Sequence, residues 1–276
     1  LAGFLLHAPV AAAEQKHQKL IYDIYAGGFH VVRSEVNIDF SKKGRYSILL
    51  GAFTRGFLAN LAPWNGTFES HGWVVGEQDL RPELHKSVAT WRDEDEIKEY
   101  YYSRDEGFQK LILTDHETPT HEPEIPKELT EGTTDALTAA LHVFDAVSRG
   151  EPCVGSMDVF DGKRRFTQSF KEVQQTSLES TKYNVYEGPA VECIVEVAPV
   201  AGKWHDKPRG WMSIQEQGRN KGTMPTVWLA NMSENNVAVP VKMRVKTDYG
   251  TLFMHLVEYH NNGEVILAEK QADLED

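Results

Sequence analysis

No apolar run long enough to cross a bilayer as a helix, about 20 residues, occurs anywhere in this sequence. There is no Cys-x-x-Cys pair, so the two cysteines do not read as a redox centre, and without clustered histidines they do not read as a structural zinc site. No Gly-x-Ser-x-Gly elbow marks a serine hydrolase. No glycine-rich turn opens a helix with Lys-Ser/Thr, so a phosphate loop is absent. Long Lys/Arg runs are missing too, and 29 basic against 41 acidic residues leave a net charge of −12. Nucleic acid is excluded as a partner, because binding its phosphate backbone needs a basic face. Polybasic attachment to anionic lipid is disfavoured for the same reason. Lys163-Arg164-Arg165 is the one short basic patch and reads as a solvated strand end.

What is present begins at the N-terminus. Leu1-Ala2-Gly3-Phe4-Leu5-Leu6 is apolar, no charged residue precedes Glu14, and Ala11-Ala12-Ala13 supplies small residues for a cut after Ala13. This reads as the remnant of a secretory signal peptide (residues 1–13), with a buried apolar segment of the fold as the other reading. It implies a periplasmic protein, exported and cleaved, without a lipid-anchoring Cys at the cut. In an oxidising compartment Cys153 and Cys193 favour a disulfide, with two buried thiols as the alternative. Bridged, they would close a loop of about 40 residues and stabilise the fold by about 4 kcal/mol in the chain-entropy model.

Residues 14–263 read as a single β-rich domain. Val32, Ser34, Val36, Ile38 and Phe40 alternate with polar neighbours in the pattern of a half-buried strand. Lys42-Lys43-Gly44 and Asp161-Gly162 are hairpin turns. Gly56–Leu61 predicts a short helical turn before Pro63. Asp115–Glu131, with Pro119, Pro123 and Pro126, is an extended connector. One clear helix follows: Thr133 or Thr134 can cap it, Asp135 sits in its first turn, Leu137, Ala140, Leu141, Phe144 and Val147 share a face, and Gly150 ends it. About a dozen strands and this helix predict an all-β-dominated fold: an antiparallel barrel, half-barrel or spiral sheet with one helix packed against or plugging it. Residues 264–276 read as a polar tail.

Candidate site residues are few. His116 and His121 lie in the Pro-rich connector, too poorly organised for a metal site. His255 and His260, five apart on a strand, fall on opposite faces. The aromatics Trp64, Trp73, Trp91 and Tyr101 gather in a short region, and Trp204-His205 stands in a Gly/Pro-rich loop. These six are the candidate binding residues for an amphiphile or peptide, against core packing as the bland alternative. No catalytic, metal-binding or cofactor-binding residue is predicted.

Thr134-Asp135-Ala136-Leu137-Thr138-Ala139-Ala140-Leu141, then Gly150, Cys153 and Val159-Phe160-Asp161-Gly162-Lys163-Arg164-Arg165, resemble the bacterial family called domain of unknown function 3108. Tyr22-Asp23-Ile24-Tyr25-Ala26-Gly27-Gly28, Thr54-Arg55-Gly56 and Cys193 with Pro199 and Gly202 fit as well. More distantly, the layout is similar to periplasmic β-spiral proteins that support envelope integrity. The resemblance implies a non-enzymatic envelope role, as a binding or scaffold protein with an envelope protein, lipid or peptide as partner and no membrane span. A hydrolase of an envelope polymer and a carrier of an amphiphile are the alternatives.

Overall fold

In the computed structural model the described residues are 17–76, 78–92, 94–116, 118–207, 210–234, 236–248 and 250–269. The segment read above as a signal-peptide remnant, residues 1–13, lies outside them. The chain begins as an antiparallel meander. Its strands are β1 (His17–Ala26), β2 (Phe29–Asp39), β3 (Arg45–Thr54), β4 (Trp64–Val75), β5 (Asp79–Trp91), β6 (Glu94–Ser103) and β7 (Gly107–Asp115), with the short helix α1 (Gly56–Leu61) inserted between β3 and β4. The connector then carries α2 (Lys127–Thr130) and α3 (Ala136–Ser148) across to β8 (Gly155–Phe160). From there β9 (Arg164–Leu178), β10 (Gly188–Gly202), α4 (Trp211–Asn220), β11 (Thr226–Ala230), β12 (Val239–Thr247) and β13 (Gly250–Asn261) return to β1.

All neighbours in the sheet are antiparallel, in the order β7-β6-β5-β4-β3-β2-β1-β13-β12-β11-β10-β9-β8. The sheet curls into an open barrel, with β7 and β8 as its two edges. Side chains and the connector fill the seam between them. Tyr100, Tyr102, Leu111 and Phe160 form a buried cluster across it, with Ile125 and Leu129 packed on top. His121 exchanges two backbone hydrogen bonds with Leu113 of β7, and Thr134 two with Asp158 and Phe160 of β8. Both edges are thereby covered where they are most open to mispairing.

The predicted plug helix is α3. Asp135, not Thr133 or Thr134, is its N-cap, accepting from the backbone N–H groups of Leu137 and Thr138. Gly150, at φ +79°, ends it in a conformation that suits glycine. Leu141, Val143, Phe144 and Val147 enter the main core on the sheet's concave face, against Leu20, Tyr46 and Phe170. Cys153, just beyond the helix, is bonded to Cys193 on β10, and both are fully buried.

Two expectations need correction. There are four helices among the described residues, not one. α4 escapes a periodicity search because Gln215, a polar residue, is what it buries most deeply. The polar tail expected over 264–276 does not begin at Glu264. Residues Glu264–Leu267 form β14, which pairs with Glu258–Asn261 of β13 where β12 has ended, and Ala268 is buried against Ile21 and Val257.

Candidate functional site: an internal cavity beside the plug helix

Strand register decides which side chains meet inside the barrel. Leu50, Phe68, Ser87 and Lys98 form one cross-strand row on β3 to β6, and Ile48, Ser70, His85 and Tyr100 form the next. Both rows face α3. Where the β8–β9 hairpin approaches from the other side, a cavity of about 540 Å³ remains. Leu50, Phe68, Leu137, Val159, Phe160 and Phe166 make its walls apolar, and Lys98, Lys163 and Arg164 stand on its lining as cations. Lys98 holds Glu96 at 2.7 Å and Arg164 holds Asp161 at 2.6 Å, whereas Lys163 is exposed and forms no ion pair among the described residues.

The cavity's inner end is a buried polar network. Asp135 is 1% exposed. Besides its two helix N–H donors it accepts from Thr138 Oγ1 at 2.6 Å and from Ser70 Oγ at 2.7 Å. Tyr46 of β3 joins through Thr138 at 2.7 Å, and His85 Nδ1 lies 2.8 Å from Ser70 Oγ. Ser70 gives its single proton to Asp135, so His85 must carry its own on Nδ1, facing Ser70. That leaves Nε2 for a ligand. Burial, then the charges of Asp161, Glu96 and Asp135, push the Tyr100 hydroxyl well above the usual phenol range, so it meets a ligand as a neutral group.

Serine, histidine and aspartate, the residue types of a hydrolytic triad, therefore do meet, but in the wrong order. Ser70 lies between the other two and is fully buried, so the group that would attack is tied to the carboxylate. The arrangement fastens the N-terminus of α3 to three strands. Among the described residues no group of His, Cys, Asp and Glu is spaced to hold a metal ion.

The six predicted binding residues do not form one site. Trp64 and Trp91 are register partners on the face that lines the cavity, at the barrel end beyond it. The Trp64 and Phe68 rings fold over Gly66, where an added Cβ would meet them at 2.7 and 2.9 Å. Trp204 adjoins the rim: its ring packs on Phe166, and Arg164 lies 4.7 Å above it. Trp73, stacked by Arg45, and Tyr101, under Lys110, are on the outer face, while Tyr100 and Tyr102 point inward. His205 is exposed. The outer face has its own polar cluster. Asp23, 1% exposed, takes His30 at 3.0 Å and Arg33 at 3.8 Å, and His255 sits beside it between β1 and β12. Burial raises the Asp23 pKa, but the hydrogen bond and charge of His30, with Arg33 and Arg55, outweigh it and hold the carboxyl below its usual range.

An open antiparallel barrel, plugged by a helix and hollow beside the plug, defines the class of this protein. The chain belongs to the family described as "Protein of unknown function (DUF3108)", which matches residues 21–257. Among solved structures it is similar to a beta-barrel-like protein of domain of unknown function DUF1849 from Brucella abortus. The two share 10% identity and a TM-score of 0.51, over 91% of this chain and all of that one. That likeness concerns the fold alone. No curated protein matches the sequence.

Proposed function

We propose that this chain is a non-enzymatic binding protein of the bacterial periplasm that holds an amphiphile in the cavity beside α3 and supports the cell envelope. The observation that carries the reading is the cavity itself. An apolar interior with a few placed polar groups is what a small-molecule site needs. Here Leu50, Phe68, Phe160 and Phe166 suit an acyl or isoprenoid chain, and Lys98, Lys163 and Arg164 suit an acidic head. The disulfide and the small-residue cleavage pattern at Ala11–Ala13 support the compartment. No described helix is long and apolar enough to cross a membrane.

Native mass spectrometry of protein released from the periplasm without detergent tests the reading. A reproducible adduct of amphiphile mass, lost when Phe68→Glu puts a charge in the cavity, is the expected result. A clean mass, with no uptake of a fluorescent fatty acid in titration, overturns it.

A further inference from the structure

At one end of the barrel the connections between strands carry the chain's most exposed large apolar residues. Phe29 at the start of β2 is 63% exposed, Phe57 and Leu61 of α1 are 51% and 67%, and Trp91 at the end of β5 is 47%. They share that end by construction, since β2 and β4 start there and β1, β3 and β5 finish there. α1 contributes no buried residue at all. It is nevertheless held rigidly. Arg55 N–H donates to Val31 O at 2.8 Å, the Phe29 and Phe57 rings meet edge to face at 5.5 Å, and Arg92 N–H reaches Pro63 O at 3.4 Å. A six-residue helix inserted in a hairpin, pinned at its base and with no core to pack on, presents its apolar side chains outward.

The charges around these tips identify the occupant. Arg55 lies 5.4 Å over the Phe53 ring and Arg92 5.8 Å over the Trp91 ring. Arg33, Arg45, Arg81, Arg149, Arg164, Arg165 and Arg219 each pair with a carboxylate, whereas among the described residues Arg55 and Arg92, like Arg104 and Arg244, make no such pair. Of the nearby acids, Asp23 feels the Arg55 charge without an ion pair to it, Glu94 lies 3.6 Å from His116, and Asp95 accepts from the Thr90 hydroxyl at 2.7 Å. In a chain of net charge −12, two exposed guanidiniums behind apolar tips match a layer of phosphate over hydrocarbon.

We infer that the α1 end of the barrel docks on a phospholipid surface, with Phe29, Phe57, Leu61 and Trp91 among the acyl chains and Arg55 and Arg92 at the phosphates. This surface stands apart from the cavity reading, because its residues do not line the cavity.

Flotation with vesicles of phosphatidylethanolamine and phosphatidylglycerol tests it on the full chain. The wild type is expected to float, and Phe57→Ser with Leu61→Ser to lower partitioning by about tenfold or more. Arg55→Gln with Arg92→Gln should weaken binding and flatten its salt dependence. Val173→Ser, at a residue 50% exposed on β9, should change nothing. Neither α1 substitution reaches the core, so unfolding curves should coincide with wild type. Absence of flotation overturns the inference, as does an equal loss in the Val173 variant. Capture of a protein rather than lipid by a photocrosslinker at position 57 overturns it too.

Discussion

The side-chain amide of Gln215 occupies the place of a β-strand beside Val197. Its Oε1 accepts from Val197 N at 2.8 Å, and its Nε2 donates to Val197 O at 3.0 Å. β11 pairs with β10 only from Val191 to Ile194, and Pro225 O takes the Val195 N–H, so at Val197 the β10 edge would otherwise be bare. α4 covers it through this one residue, itself 2% exposed. Replacing Gln215 with Leu strands a peptide N–H and C=O and should cost about 2–4 kcal/mol in denaturant unfolding. Unchanged stability would mean that water serves the edge equally well.

Asp135 caps α3 and also collects Ser70 and Thr138. Asp135→Ala therefore loses a cap and takes the carboxylate acceptor from two buried hydroxyls, about 3 kcal/mol together. A double-mutant cycle with Ser70→Ala should return a coupling of about 1 kcal/mol or more. A cycle summing to zero would show that α3 is held by its apolar face alone.

The Cys153–Cys193 bond closes a loop with a sequence separation of 40. Reduction, or Cys153→Ala with Cys193→Ala, should lower stability by about 4 kcal/mol. The check is a pair of denaturation curves with and without reductant, and coincident midpoints would refute the estimate.

Burial, and then the charge of Lys242, depress the His255 pKa from 6.5 to about 4, against the pull of Asp23. Between those two values the unfolded chain binds a proton that the folded chain refuses. Stability from this group is therefore full above about pH 6.5 and lost as the pH falls toward 4. Discounted for partial exposure, the loss should be about 2 kcal/mol or less. His255→Gln should flatten this limb in thermal melts between pH 7 and pH 4. A limb of unchanged slope would place the titration elsewhere.

The alternation in Val32–Phe40 placed that strand, because a half-buried strand prints its two faces directly. The plug helix was equally legible, with the cap assigned one or two residues early. The cavity was not. Ser70 and His85 are partners only because β4 and β5 keep their register up to His71, where a bulge at Gly72 shifts it by one. An added Cβ at Gly72 would come within 2.0 Å of Arg81 O, so the glycine permits that close approach, but nothing local announces the bulge. The aromatic cluster misled for a related reason. Trp73 and Trp64 are nine positions apart on one strand, and odd separation puts them on opposite faces. Arg164 has its partner three residues away at Asp161, inside the hairpin turn that the sequence did reveal.

The strand order also has a consequence for how the molecule assembles. Its central pair, β1 with β13, joins the two ends of the described chain, while both edges come from the middle. Register partners such as Gln18 and Asn261 are separated by almost the whole domain, so this pairing carries the largest loop-closure entropy in the sheet. The first strand waits for the last. A chain emerging from its N-terminus can zip the β1–β7 meander at once, yet β1 keeps an unpaired edge until β13 arrives. Removing β13 would not trim this sheet from its border; it would split it down the centre.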